Sequence, residues 1–139
     1  MSGRAGRVEI SVHSRAREEV LDITPLVAAA LPALGLANGA VLLLCPHTTA
    51  ALTVNETADP DVRTDVQAGF ANLVPDLPFR HAEGNSGAHL RSALLGPSLV
   101  LPVAAGRLVL GTWQGIYFCE FDGPRQRQVW AFPLHSQPG

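Results

Sequence analysis

The residues from Phe79 to Leu95 hold the densest set of groups able to do chemistry: His81, Glu83, Asn85, Ser86 and His89, interrupted by Gly84 and Gly87. His81 and His89 are eight positions apart, too far for the one-turn spacing that sets two histidines side by side on a helix. The glycines let the backbone fold back instead, and Asn85 or Ser86 can cap a helix that begins there. Leu90, Ala93 and Leu94 follow at i, i+3 and i+4, an apolar stripe for that helix. His89 then falls in its first turn, beside the buried edge, where a metal or an anion can meet it, and the free N–H groups of a helix start attract phosphate. His47 offers a third imidazole at the end of the apolar run Val41 to Cys45, next to the hydroxyls of Thr48 and Thr49. Three imidazoles and an open position make the protein side of a catalytic zinc site, and Glu83 suits a general base or an orienting partner. The plainer alternative is a set of hydrogen-bonding loop histidines, since no paired Cys-x-x-Cys accompanies them.

Such a turn needs a scaffold, and the chain has the length for one. Its 139 residues, 47% hydrophobic and 16% charged, suit a single globular domain over 1–139 with its own core. The net charge is −2, there is no lysine, and the ten basic residues, all arginine, are scattered. That argues against a nucleic-acid footprint, which needs a basic face, while leaving small anionic ligands open. No apolar run has membrane-spanning length and the N-terminus lacks the apolar core of a signal peptide, so the expectation is a cytoplasmic protein. Cys45 and Cys119 lie in apolar runs and read as reduced, buried residues, with metal ligation by Cys45 a minor alternative.

Periodicity then places the elements. Residues 7–14 alternate as a half-buried strand, and 18–22 suits a short partner paired with it across a polar turn at 14–17. Thr24-Pro25 opens a helix carrying Leu26, Val27, Ala30, Leu31 and Leu34, disturbed at Pro32 and stopped at Gly35. Residues 39–46 read as a central strand covered on both faces, and 49–55 as a second strand with Ala50, Leu52 and Val54 on one side. Asp59-Pro60 opens a helix with Val62, Val66, Phe70 and Leu73 toward the sheet. After the histidine turn and its helix come a hairpin across 104–106, a central strand at 116–121, and a last strand at 128–132 with a loose tail from Pro133. His13 and His135 receive no site role. The order predicts an α+β fold, a mixed or mostly antiparallel sheet with helices packed on one side.

Four stretches carry a family likeness: residues 47–56, Asp59-Pro60-Asp61-Val62, residues 81–86 with Ala88-His89-Leu90, and residues 111–116 with 120–125. With them the chain resembles the YjbQ family, known as secondary thiamine-phosphate synthases, over nearly its whole length. The resemblance implies a small α+β domain that assembles as a homotrimer. It also implies a divalent metal, zinc first, on the histidines at 47, 81 and 89. The implied activity joins a pyrimidine diphosphate to a thiazole phosphate and releases pyrophosphate. In that reaction Glu83, Asn85 and His89 would be catalytic, and Thr48, Ser86, Trp113 and Gln114 would bind the phosphorylated metabolite, with Arg107 or Arg125 available to neutralise a phosphate. One departure is visible: the family's usual aspartate before Ala-His-Leu is Gly87 here. Two other readings use the same residues, a metal-assisted hydrolase of a small phosphorylated or acylated metabolite and a non-catalytic trimer that binds an anion.

Overall fold

A short strand, β1 (Ser2–Arg4), folds back antiparallel on β2 (Arg7–His13) in the computed structural model, which describes residues 2–4 and 6–136. The alternation of β2 turns Val8, Ile10 and Val12 into the core. The next strand, β3 (Glu19–Asp22), is followed by helix α1 (Thr24–Ala30), a 3₁₀ turn at Pro32–Leu34, and strands β4 (Gly39–Leu44) and β5 (Ala50–Glu56). Helices α2 (Pro60–Ala71) and α3 (Ser86–Leu95) come next, then β6 (Ser98–Ala104), β7 (Arg107–Leu108), β8 (Gln114–Glu120) and β9 (Gln126–His135).

Two sheets result, ordered β1-β2-β9-β4-β6-β7 and β3-β8-β5, with every strand pair among the described residues antiparallel. They stack face to face. Val8, Ile10, Val41, Leu43, Val129 and Ala131 from the larger sheet meet Ala50, Leu52, Ile116 and Phe118 from the smaller, with Val27, Ala30 and Leu31 of α1 in the same core. The reverse side of the small sheet presents Val20, Ala51, Tyr117 and Cys119 to Ala88 of α3 and Phe70 of α2. The molecule is thus a single α+β domain in three layers, with α2 and α3 on one side of the small sheet. The middle strand β8 is buried on both faces from Gly115 to Glu120, as its unbroken apolar run requires.

Several expectations need correcting. β3 does not pair with β2; it pairs with β8, Val20 opposite Cys119. Its Val20 belongs to the layer between small sheet and helices, a place that the edge of the large sheet could not offer. The apolar stripe of α3 faces out: Leu90 and Leu94 are 40% and 65% exposed. Its buried residues are Ala88 and Ser92, because these small side chains let the helix lie close on β5, where the Ser92 hydroxyl donates to the Ala50 carbonyl at 2.6 Å. Phe70 of α2 is only half-buried, meeting Phe121 edge-on at 6.2 Å, and Leu73 lies beyond the end of the helix and is exposed. β4 is central but covered on one side, with Val41 and Leu43 buried while Leu42 and Leu44 are half-buried. The tail past Pro133 is strand: Gly39 lies opposite His135. Only glycine fits there, since a Cβ would fall 2.0 Å from the Leu134 carbonyl oxygen. The Thr24 hydroxyl does not cap α1; it donates to Asp22 Oδ1 and accepts from the Ile116 N–H. No helix among the described residues is long and apolar enough to cross a membrane.

Candidate functional site

β4 ends at Leu44, opposite Trp130 of β9, and the chain then crosses from the large sheet to the small one through Pro46-His47-Thr48-Thr49. Because β4 stops there, the neighbouring part of β9 loses its ladder partner on that side. The Gln128 N–H is such an orphan, and His47 Nε2 accepts it at 2.9 Å. Burial and the nearby Arg127 guanidinium both push the imidazole pKa below its ordinary value, outweighing the Gln128 bond. His47 is therefore neutral in the folded state at pH 7, and since Nε2 accepts, Nδ1 carries the proton.

This gives a pH prediction. The unfolded imidazole titrates near 6.5 and the folded one lower, so the unfolded chain binds more protons between those two values. The stabilising contribution is complete above pH 6.5 and falls as the pH drops toward the folded value. Denaturant unfolding at pH 7.5 and 5.5 should show a loss for the wild type that is smaller in His47→Gln.

His47 and Thr48 form one wall of a cleft of about 460 Å³, which lies at the end of the small sheet where β5 begins and β8 stops. The opposite wall comes from the turn before α3 and from its first turn: His81, Glu83, Asn85 and His89. The rings of His81 and His89 lie edge to face, 5.5 Å between centroids, and Glu83 Oε1 is 3.9 Å from His81 Nε2. Asn85 precedes α3 without a side-chain capping bond. Its amide instead donates to Asp122 at 2.9 Å, and its Oδ1 is buried without a partner among the described residues. An unpaired buried acceptor costs about 1–3 kcal/mol, so Asn85 Oδ1 calls for a donor from whatever fills the cleft.

The floor is a feature that the sequence reading missed. Arg127 and Glu120 are 3% and 1% exposed. Arg127 Nε donates to Glu120 Oε1 at 2.9 Å and its Nη2 to Glu120 Oε2, while Nη2 also reaches Thr49 Oγ1 at 2.8 Å. The Ser14 hydroxyl donates to Glu120 Oε1 at 2.7 Å and the Asp122 N–H to Oε2 at 3.1 Å. Burial opposes ionisation of Glu120, but the Arg127 and Ser14 hydrogen bonds outweigh it, so its pKa lies below the ordinary carboxylate value. Arg127 is thus a fixed cation in the cleft floor. At the rim, Arg125 pairs with Asp122 at 3.1 Å. The signal was legible: β9 alternation puts Arg127 on the same face as the buried Val129 and Ala131, and an inward arginine demands a buried anion.

The structure therefore brings together His47, Thr48, His81, Glu83, Asn85 and His89. Ser86 begins α3 beside them but does not line the cleft. Trp113 and Gln114 do not join: they stand at the far end of β8, and Arg107 lies in β7. Cys45 and Cys119 are free and buried, and burial pushes the Cys119 thiol up to about 12, so it offers no thiolate.

Among the described residues no three His, Cys, Asp or Glu side chains are arranged to hold a metal ion. His81 and His89 come together with 5.5 Å between ring centroids, but the accepting nitrogen of His47 is taken by Gln128. The three-histidine centre does not fit as the side chains stand, and the chemistry below is derived without it.

Gly87 lies outside the cleft lining, and a Cβ there would sit 3.3 Å from Arg91 Nη1. An aspartate at 87 would meet that guanidinium across one helical turn and favour the helix start. Gly87→Asp is expected to stabilise the fold by about 1 kcal/mol while leaving ligand affinity unchanged, measured by denaturant unfolding and pyrophosphate titration.

A family model described as "UPF0047 protein YjbQ-like" matches residues 8–135. The UPF0047 protein YugU of Bacillus subtilis is 50% identical over 121 residues, covering 85% of this chain and 91% of that protein. A UPF0047 protein of Archaeoglobus fulgidus is 41% identical over 125 residues, 88% of this chain and 96% of the other. Among solved structures, an uncharacterised YjbQ/UPF0047 protein of Clostridium acetobutylicum superposes with a TM-score of 0.86 at 43% identity, over 91% of this chain and 99% of that one. A hypothetical protein of Aeropyrum pernix gives 0.86 at 41% identity, over 94% and 98%.

Proposed function

The chain belongs to the UPF0047 YjbQ-like family, and we propose that its cleft is the active site of a transferase that joins a pyrimidine diphosphate to a thiazole phosphate. In this reaction the thiazole nitrogen lone pair forms a C–N bond to the pyrimidine methylene carbon. The C–O bond to pyrophosphate breaks, and its electron pair leaves with the pyrophosphate. No proton need be removed from the nucleophile, so catalysis rests on holding two anions and stabilising the one that departs.

The observation that carries this reading is the fixed Arg127 guanidinium in the floor of a cleft of about 460 Å³, a size that suits a small phosphorylated ligand. Glu120 and Thr49 hold the arginine before any substrate arrives, so stabilising the leaving group costs little reorganisation. Arg125, and the N-terminus of α3 beside Asn85, would take the remaining phosphate charge. Asn85 Oδ1, buried and unpartnered, suits an exocyclic amine on the pyrimidine. His89 and His81 would donate hydrogen bonds to the departing oxygens, with Glu83 setting the orientation of His81 from 3.9 Å.

A small phosphorylated metabolite as substrate, a homotrimer in solution and a cytoplasmic location belong to the same reading.

The test is direct. Purified protein with the two phosphorylated heterocycles should form thiamine phosphate and release pyrophosphate in equal amounts. Turnover absent with or without added zinc, in protein that still binds pyrophosphate, would replace the synthase by an anion-binding function.

A further inference from the structure

His47 lines the cleft, yet the reaction above gives it no task. Its ring is fixed on one side, where Nε2 accepts the Gln128 N–H at 2.9 Å. A backbone N–H can only donate, so Nε2 must present a lone pair, and the ring proton then sits on Nδ1. That Nδ1–H is uncommitted. Among the described residues it has no hydrogen-bond partner, and the side-chain polar atoms buried without one are Arg7 Nε and Asn85 Oδ1 alone. The Nδ1–H of His47 therefore opens onto the cleft that the ring lines.

Arg127 repeats this arrangement next to it. It neighbours Gln128 on β9, and its Nε and Nη2 are taken by Glu120 and Thr49. Its Nη1 has no partner among the described residues and is not a buried orphan, so it too opens onto the cleft. The two side chains are close: after burial, the Arg127 guanidinium is the main influence lowering the His47 pKa. The carboxylates of the cleft are engaged elsewhere. Glu120 holds Arg127 and Ser14, Asp122 holds Arg125 and Asn85, and Glu83 stands beside His81. Two uncommitted N–H donors thus share one wall of the cleft, with no side-chain acceptor of the chain bonded to either.

We propose that His47 is an oxyanion-binding residue: its Nδ1–H and Arg127 Nη1 hold the same phosphate group of the ligand, with the imidazole acting as a neutral donor of fixed tautomer and not as a metal ligand or an acid. The Gln128 N–H orients the ring from its far nitrogen, as an outer partner orients a ligating histidine. A donor fixed in this way needs no reorganisation when the anion arrives. A cation in the same place would face two N–H groups and no lone pair, so this wall selects an oxyanion. The inference rests on the reading above only in that the cleft takes a phosphorylated ligand; it needs neither the synthase reaction nor a metal.

Two substitutions separate the nitrogens of the ring. Asparagine carries its amide nitrogen on Cγ, where Nδ1 stands, and leaves the Gln128 N–H unmet; glutamine reaches the Nε2 position, can accept from Gln128, and has nothing at Nδ1. Pyrophosphate titration of the full chain by calorimetry, with chelator present, should show a Kd raised roughly tenfold or more in His47→Gln, the loss of one hydrogen bond to a charged group. His47→Asn should stay within about threefold of the wild type. A histidine that only ties β9 to the loop gives the opposite order, with His47→Gln harmless and His47→Asn impaired. Nitrogen-15 NMR of the histidine-labelled wild type should show the Nδ1–H tautomer at pH 7, its signal moving when pyrophosphate is added. Wild-type affinity in His47→Gln, no pyrophosphate binding by the wild type, or an Nε2–H tautomer would overturn the inference. Pyrophosphate bound without turnover would defeat the synthase reading and leave this one standing.

Discussion

Arg127→Met should be among the most destabilising single substitutions in the protein. It leaves the Glu120 carboxylate 1% exposed with the Ser14 hydroxyl and the Asp122 N–H as its remaining partners. Removing one member of a buried ion pair costs about 3–5 kcal/mol, because the other charge stays desolvated and uncompensated. For a chain of this length that is a fall in Tm of roughly 10–15 °C. Glu120→Leu combined with Arg127→Met should recover most of the loss, since apolar side chains of similar volume replace a buried pair at little cost. Both variants should lose pyrophosphate binding, which separates the folding role of the pair from the role of the cation in the cleft. The pair also fixes an acid limit. The folded Glu120 pKa lies below the ordinary 4.5, so its contribution is complete above that value and is lost as the pH falls through the folded one. Thermal unfolding from pH 6 down to pH 3 should be steeper for the wild type than for the double variant. Equal slopes would show that the pair is not what resists acid.

On the proposed synthase reading, His89→Ala should cut turnover by roughly 100-fold or more with a change in stability under about 1 kcal/mol. The imidazole sits in the first turn of α3, half-buried and facing the cleft, whereas α3 is fastened to the sheet by its neighbours Ala88 and Ser92. Losing the ring therefore costs the cleft a donor and the fold almost nothing. Metal content separates the histidines further. Because His47 Nε2 is already committed to Gln128, His47→Ala should leave zinc uptake by the purified protein unchanged. Synthase activity retained in His89→Ala would refute the role given to it. Zinc uptake lost in that variant would show that His47 gives up its backbone bond to join the site.

Much of this molecule follows from local rules. The periods of two and 3.6 are properties of short segments, which is why β2, β4, β5, β8, α1 and α2 lie close to where alternation, caps and prolines put them. Glycines around His81 and His89 announced a turn opening a helix, and the two rings do meet across it. The α+β class followed from the order of elements. Partnership between distant segments did not. β3 chose β8 over its neighbour in sequence. α3 buried Ala88 and Ser92 in place of its leucines, because a sheet close by rewards small residues and a hydroxyl near a free carbonyl.

What the sequence by itself determined is the set of reactive groups and the segments that carry them, since both depend on residue type and on spacing within a dozen positions. Only the tertiary structure decided how those groups are spent. It joined Arg127 to Glu120 as a buried cation in the cleft floor, gave the His47 acceptor to a β9 N–H stranded by the end of β4, and held Trp113 a strand's length from its own cleft. The reason is physical. Desolvation and hydrogen-bond satisfaction are settled between residues that are far apart in sequence and adjacent in space, and no local period encodes that adjacency.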